Sequence, residues 1–365
     1  MHRAAAFLLS LLLFTSCAED RDPTPESASP SPSDGLVADA PGVGIGEVGS
    51  RQSETDEPES VETIAPVTDA NADFYPDGIF LYGDAVYTQA FFSETNARYY
   101  AQTALYYAQL FGCRVSTVIA PLSSMTIDNP KVTSVIPDQR EILDGMRPLF
   151  DASVNFVNPY EKLYAHRTEY LYFHTDHHWT QLGAYYAYAA FAESMGWTPT
   201  PLSSFAHAVT NPDYAGSMYQ WTMDERVKGF HDEIEVYYPT KPVTMTVETP
   251  QGDTLTYDTC IVNTNNTYVT FIAGDNPYTY INIPDNPQNL SCLVLKDSFG
   301  NAFVPFLCEH YGNIVVVDTR YVTENLFSKF AGYGFSDILF INNIEAANSY
   351  DWPKFYMAAV GVQLP

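Results

Sequence analysis

Short apolar runs alternating with amphipathic helical patterns constrain this chain more than any other feature. Val115 to Ala120, Val154 to Val157, Leu290 to Lys296, Asn313 to Asp318 and Asp337 to Asn342 are largely apolar and too short for buried helices. Helical periodicity occupies Glu94 to Leu110, Gln139 to Phe150, Gln181 to Met195, Ala302 to Tyr311 and Thr323 to Phe330. Strands apolar on both faces need cover on both, which predicts a mainly parallel sheet between helical layers, a three-layer α/β/α fold. Between about Pro199 and Ile283 the texture changes. Alternating, Thr- and Tyr-rich segments at Glu233 to Tyr238, Val243 to Glu248 and Asp253 to Asp258 predict antiparallel hairpins, read as an inserted β-rich subregion.

The first 72 residues do not read as fold material. Arg3 is followed by the apolar run Ala4 to Phe14 and then by Thr15-Ser16-Cys17. That pattern is a secretory signal, too short to span a bilayer as a stable anchor. Small residues before Cys17 resemble the lipobox of bacterial lipoproteins, in which that cysteine is lipidated and becomes the new N-terminus. Phe14 stands where Leu is more usual, so a plainly secreted product stays open. Residues 18–72 are rich in Pro, Ser, Thr, Glu and Asp and have no apolar periodicity, the composition of a disordered acidic tether. A flexible segment of roughly 55 residues reaches about 40 Å, enough to hold a domain clear of a membrane. The folded domain is expected over residues 73–365.

A formal net charge of −27 argues against nucleic acid or anionic lipid as a partner, since both require a basic face. The membrane is then met only through the lipid anchor. Besides Cys17 the chain has Cys113, Cys260, Cys292 and Cys308, most of them beside apolar runs. They read as buried small hydrophobes at least as readily as disulfides, and their pairing is open. The 27 Tyr and 22 Phe suit both core packing and stacking on sugar rings, and packing is the expectation for Tyr185, Tyr186 and Tyr188.

Two segments carry chemistry. Phe173-His174-Thr175-Asp176-His177-His178-Trp179-Thr180 places three imidazoles and a carboxylate in one short loop before a helix. An Asp two positions from a His can orient the imidazole and leave its other nitrogen free as a base. A metal site is the rival, because Asp176, His177 and His178 are all potential ligands. Adjacent histidines in an extended segment should point to opposite sides, which weighs against a shared metal. A loop whose histidines merely cap the next helix is the plain alternative. The second segment is Val294-Leu295-Lys296-Asp297-Ser298-Phe299-Gly300-Asn301, where an apolar strand ends in a serine that enters a helix. Ser298 there is either an ordinary helix cap or a nucleophile near the positive end of a helix dipole.

Gly78-Ile79-Phe80-Leu81, Thr175-Asp176-His177-His178-Trp179-Thr180 with Gly183-Ala184, Lys296-Asp297-Ser298-Phe299 with Pro305-Phe306-Leu307, and Asp318-Thr319-Arg320-Tyr321 resemble the DHHW family of bacterial cell-surface proteins. The resemblance covers essentially all of residues 73–365. The Thr-Asp-x-His-Trp core is also similar to the alginate O-acetylation proteins AlgJ and AlgX, whose fold is SGNH-hydrolase-like with the Asp-His pair ahead of the serine. This order is the one found here. The resemblance therefore implies Ser298 as nucleophile, His178 as general base and Asp176 as its orienting residue, with no catalytic role for His177.

Other site residues are less determined. The N–H of Phe299, and Asn276 within the Gly-x-Asn pattern Gly274-Asp275-Asn276, are candidate oxyanion donors, although the tripeptide also reads as a simple turn. Gly216-Ser217 is a poorer candidate for a pocket edge. Arg320 and Trp179 are candidate substrate contacts, and Arg320 is as readily an ion-pair partner of a nearby acid.

The resulting expectation is an extracytoplasmic O-acyltransferase or esterase acting on a cell-surface or exported polysaccharide, requiring no cofactor and no bound metal. By analogy with alginate acetylation, a membrane protein would supply acyl groups. A catalytically silent glycan-binding or assembly subunit on the same scaffold is the alternative, and a metal-dependent hydrolase a third.

Overall fold

The computed structural model describes residues 72–262 and 267–364. The expected signal with Cys17, and the acidic tether before residue 72, lie outside the described residues. Among the described residues no helix is long and apolar enough to cross a membrane.

The chain enters through strands β1 (Asp73–Phe74), β2 (Ile79–Tyr82) and β3 (Ala85–Thr88), which form a small antiparallel sheet. There follow β4 (Arg114–Ala120), β5 (Val154–Val157), β6 (Ala206–Tyr214), β7 (Asp232–Tyr238), β8 (Thr244–Glu248) and β9 (Thr254–Tyr257). The last are β10 (Tyr278–Asn282), β11 (Ser291–Lys296), β12 (Asn313–Val317) and β13 (Asp337–Asn343). The large sheet runs β5-β4-β13-β11-β12-β10-β8-β9. Its pairings from β5 to β12 are parallel and those from β12 to β9 antiparallel.

Leu293, Val294 and Leu295 of β11 and Ile338 and Leu339 of β13 are fully buried, as central strands covered on both faces must be. The antiparallel segments expected between 199 and 283 divide between two places. β6 and β7 pair with each other, whereas β8, β9 and β10 continue the large sheet beyond β12.

The helices begin and end where local chemistry directs. Glu94–Phe111 is capped by the Ser93 hydroxyl and stops at Gly112, which adopts the left-handed conformation (φ 64°) that glycine takes without strain. The pattern over Gln139 to Phe150 resolves into an α-helix, Gln139–Met146, and a 3₁₀ turn, Arg147–Leu149, because Pro148 has no N–H to continue the α ladder. The helix expected from Ala302 starts earlier and covers Phe299–Leu307. Beyond it, Cys308, Glu309 and His310 donate three residues back, so the remaining stretch to Tyr311 tightens rather than extending the α-helix. Of Thr323 to Phe330 only Leu326–Lys329 is helical, capped by the Asn325 side chain.

Tyr185, Tyr186 and Tyr188 project from the helix Gln181–Ser194 and bond Thr200, Glu169 and His310, which is packing as expected. Cys113, Cys260, Cys292 and Cys308 are free thiols, the last three buried. The Cys260 and Cys308 sulfurs lie 3.9 Å apart without a bridge.

Candidate active site

Ser298 sits where β11 leaves the carboxyl edge of the parallel strands, the edge at which open α/β sheets gather their sites. It is the N-cap residue of Phe299–Leu307, yet its hydroxyl makes no capping bond. The neighbouring carboxylate supplies the cap instead. Asp297 Oδ1 accepts the Phe299 N–H at 2.9 Å, and Oδ2 accepts the Asn343 N–H from the end of β13 at 2.7 Å. Burial raises the Asp297 carboxyl to about 6 against the opposing pull of these two donors. The Ser298 hydroxyl, released from capping, lies 2.6 Å from His178 Nε2.

His178 reaches the serine from the loop before the helix Gln181–Ser194. The run Tyr170 to Phe173 is not a strand of the large sheet. It folds back on itself through a single antiparallel bridge, Tyr172 with Trp179, and the Phe173 N–H donates to the His178 carbonyl at 3.3 Å. Because this loop is compact rather than extended, the alternation expected of neighbouring side chains fails. The His177 and His178 rings lie together, centroids 3.8 Å apart. Neither histidine caps the following helix, since the Thr180 hydroxyl accepts the Gly183 N–H.

Asp176 completes the constellation. Its Oδ1 accepts the His178 Nδ1–H at 2.6 Å, which fixes the tautomer and leaves Nε2 to accept from Ser298. Oδ2 accepts from the Tyr214 hydroxyl at 3.0 Å and the Ser217 N–H at 3.1 Å. Burial by itself would raise this carboxyl, but the charges of His178 and His177 and the hydrogen bonds outweigh it and hold Asp176 well below the usual range. The loop is fixed from behind by buried Asp232, which accepts the His174 N–H, the Thr175 N–H, the Thr175 hydroxyl and the Tyr170 hydroxyl.

Rings line the imidazole on both sides. Tyr268 stacks on His178 at 3.9 Å and 9°, and on the other side Trp221 stacks on His177 at 4.8 Å. A sandwiched imidazole has little freedom to rotate. His177 is itself pushed down to about 3 by burial and by the His178 charge.

The remaining expected residues are engaged elsewhere. The Phe299 N–H, expected to hold an oxyanion, is occupied by Asp297 Oδ1. Asn276 Nδ2 donates to the Ala273 and Gly274 carbonyls of its own loop, where Gly274 (φ 79°) makes the left-handed turn. Trp179, expected at the substrate, is fully buried, and its indole N–H donates to the Phe299 carbonyl at 2.9 Å, tying the histidine loop to the serine helix. Arg320 is held by Asp318 and Asp275, its guanidinium 2.6 and 2.7 Å from their oxygens. Gly216-Ser217 abuts Asp176 as a carboxylate clamp.

The ligand atoms of Asp176, His177 and His178 lie within 4.8 Å of one another, close enough to share a cation. A cation there would compete with the donors on the Asp176 oxygens and would take from His178 its bond to Asp176 or to Ser298.

A family model for DHHW proteins matches residues 49–317. The chain belongs to the DHHW family. A DHHW family protein from Eubacterium siraeum has the same fold, with a TM-score of 0.71 and 24% identity over 78% of this chain and 96% of that one. PatB1 from Bacillus cereus, in a structure with a sulfonyl adduct, aligns with a TM-score of 0.65 and 16% identity over 78% of this chain and 99% of its own. A second PatB1 structure gives a TM-score of 0.60 and 17% identity, covering 78% of this chain and 100% of the other. No curated protein matches the sequence. The SGNH-hydrolase-like fold expected of this DHHW protein is the one its architecture has, a mainly parallel sheet with antiparallel strands added.

Sequence reasoning missed Tyr214, Trp221, Asp232 and Tyr268. Each is one aromatic or small polar residue in a region rich in such types, and no spacing relates it to Asp176 or His178. Gly216-Ser217, read as a pocket edge, was the single legible signal in this part of the site.

Proposed function

We propose that this DHHW protein is a serine-dependent O-acyltransferase or esterase that works outside the cytoplasm on a cell-surface or exported polysaccharide. The observation that carries the reading is the unbroken chain from Asp176 through His178 to Ser298, both links 2.6 Å, ending on a hydroxyl that its own helix does not use. An N-cap serine left uncapped and aimed at an oriented imidazole has little structural purpose and an evident chemical one.

In the proposed reaction His178 Nε2 takes the Ser298 proton as Oγ forms a bond to an acetyl carbonyl carbon. The tetrahedral oxyanion develops at the amino end of Phe299–Leu307, where the helix dipole favours negative charge. Collapse breaks the bond to the leaving alkoxide, which takes the proton back from His178, and an acetyl-serine remains. A sugar hydroxyl, deprotonated by His178, then attacks that ester and leaves with the acetyl group, restoring Ser298. Water in place of the sugar yields acetate. A transferase outside the cytoplasm needs its acyl groups brought to it, a role suited to a membrane protein partner. Cys17, if lipidated, would hold the enzyme at the same surface.

The test is intact-mass analysis after incubation with an activated acetyl ester and, separately, a sulfonyl fluoride, beside Ser298→Ala and His178→Ala. An adduct mapped to Ser298 and missing from both variants is expected. Failure of both reagents to label Ser298 would reject the mechanism and favour a glycan-binding subunit on the same scaffold.

A further inference from the structure

We propose that Trp221, stacked on His177 at the mouth of the site, is the subsite for an uncharged sugar ring, so that the substrate is a neutral glycan and not a polyuronate. The proposal deepens the reading above and rests on it for the direction of attack. Trp221 lies on the helical turn Met218–Thr222, directly after the Gly216-Ser217 clamp on Asp176. Its ring is stacked at 29° to His177, yet the residue remains 47% exposed. Met223, which follows in a left-handed conformation (φ 51°), is 69% exposed. A large apolar ring is thus held open to solvent two ring contacts from the Ser298 base, by the same loop that fixes the base's partner. Such a platform offers the apolar C–H face of a sugar a surface to stack on.

Charge selects among sugars. A uronate calls for a cation able to pair with its carboxylate. Among the described residues, the Lys and Arg side chains that flank this loop and the serine strand each have an acidic partner. Arg226 pairs with Asp224 and Asp73, Lys228 with Glu225, buried Lys296 with Asp275, and Arg320 with Asp275 and Asp318. A chain with formal charge −27 also repels a polyanion at long range.

The test measures binding without turnover, using the full chain carrying Ser298→Ala. Neutral pentasaccharides (a β-glucan, a β-mannan and an N-acetylhexosamine polymer) and pentagalacturonate are titrated by calorimetry. At least one neutral pentasaccharide should bind, with pentagalacturonate at least roughly tenfold weaker. Adding Trp221→Ala should weaken the neutral ligand by roughly tenfold or more, and Trp221→Phe should retain most of the affinity. Equal binding with and without Trp221, tighter binding of pentagalacturonate, or no binding of any neutral ligand would each overturn the proposal. The two readings fail separately. Trp221-dependent binding without an acyl-serine rejects only the nucleophile, and an acyl-serine with Trp221-independent binding rejects only the subsite.

Discussion

Tyr268 lies flat on the His178 imidazole, ring centroids 3.9 Å apart and planes within 9° of parallel. His177 packs against the same ring, centroids 3.8 Å apart, and covers its other side. The rotamer that aims Nε2 at Ser298 is therefore held by packing as well as by Asp176.

That arrangement separates the two ends of the tyrosine. Among the described residues the Tyr268 hydroxyl is buried without a hydrogen-bond partner, so only the ring matters to His178. Tyr268→Ala should slow acylation of Ser298 by roughly ten- to a hundredfold, as expected when a reacting group loses its fixed position. Tyr268→Phe should stay within about twofold of the parent, since it keeps the face. Burst kinetics with 4-nitrophenyl acetate distinguish them, and equal losses in both variants would refute the stacking role.

Gly216 admits no side chain. A Cβ there would come within 2.5 Å of the Thr175 carbonyl oxygen and against the Cβ of Asp176. Gly216→Ala should push Asp176 out of line with His178 and lower the rate roughly a hundredfold. The accompanying loss of stability should be about 1–3 kcal/mol. Gly229, where an added Cβ would meet nothing within 4 Å, is the matched control, and its alanine variant should behave as the parent in both rate and thermal unfolding.

Lys296 is 1% exposed and depends on Asp275 at 2.7 Å, with Asp318 farther away at 3.7 Å. Asp275→Asn should destabilise the fold by about 3 kcal/mol, the low end of the cost of stranding a buried charge, because Asp318 remains. Burial alone would raise the Asp275 carboxyl, but Lys296 and Arg320 hold it well below the usual range. A carboxyl depressed in the native state stabilises above its unfolded value of about 3.9 and loses that contribution as pH falls through the native value. The gap between parent and variant in urea unfolding should therefore be full at pH 7 and shrink below about pH 4. A gap that widens on acidification would contradict the pairing.

Metal dependence makes a further test, because a cation shared by Asp176, His177 and His178 would take from His178 its bond to Asp176 or to Ser298. Exhaustive chelation should leave esterase activity intact, whereas added zinc should inhibit by drawing on the same donors. Loss of activity on chelation, restored by a metal, would replace the serine mechanism with metal-assisted hydrolysis.

The alternation of strands and helices was legible because burial of both sheet faces leaves a continuous apolar record in β4, β11 and β13. Asp176, His178 and Ser298 were legible as residue types at telling positions, each half of the pattern being local in sequence. Trp179 was misjudged since an indole reads alike whether it stacks on a ligand or spans a core, and here its N–H joins the two halves of the site. Phe299 was misjudged because a cap supplied by Asp297, rather than by Ser298, leaves no distinct mark in the sequence.

By itself, then, the sequence determined the layered α/β architecture and the chemical types at the site, since periodicity and residue chemistry are properties of short segments. The tertiary structure alone decided which groups meet. It brought His178 and Ser298 together across 120 residues, laid Tyr268 and His177 on either face of the His178 ring, and spent the Phe299 N–H on Asp297. Those contacts depend on how a compact loop and a strand end are packed against each other. Packing of that kind is a property of the whole fold, with no local pattern to record it.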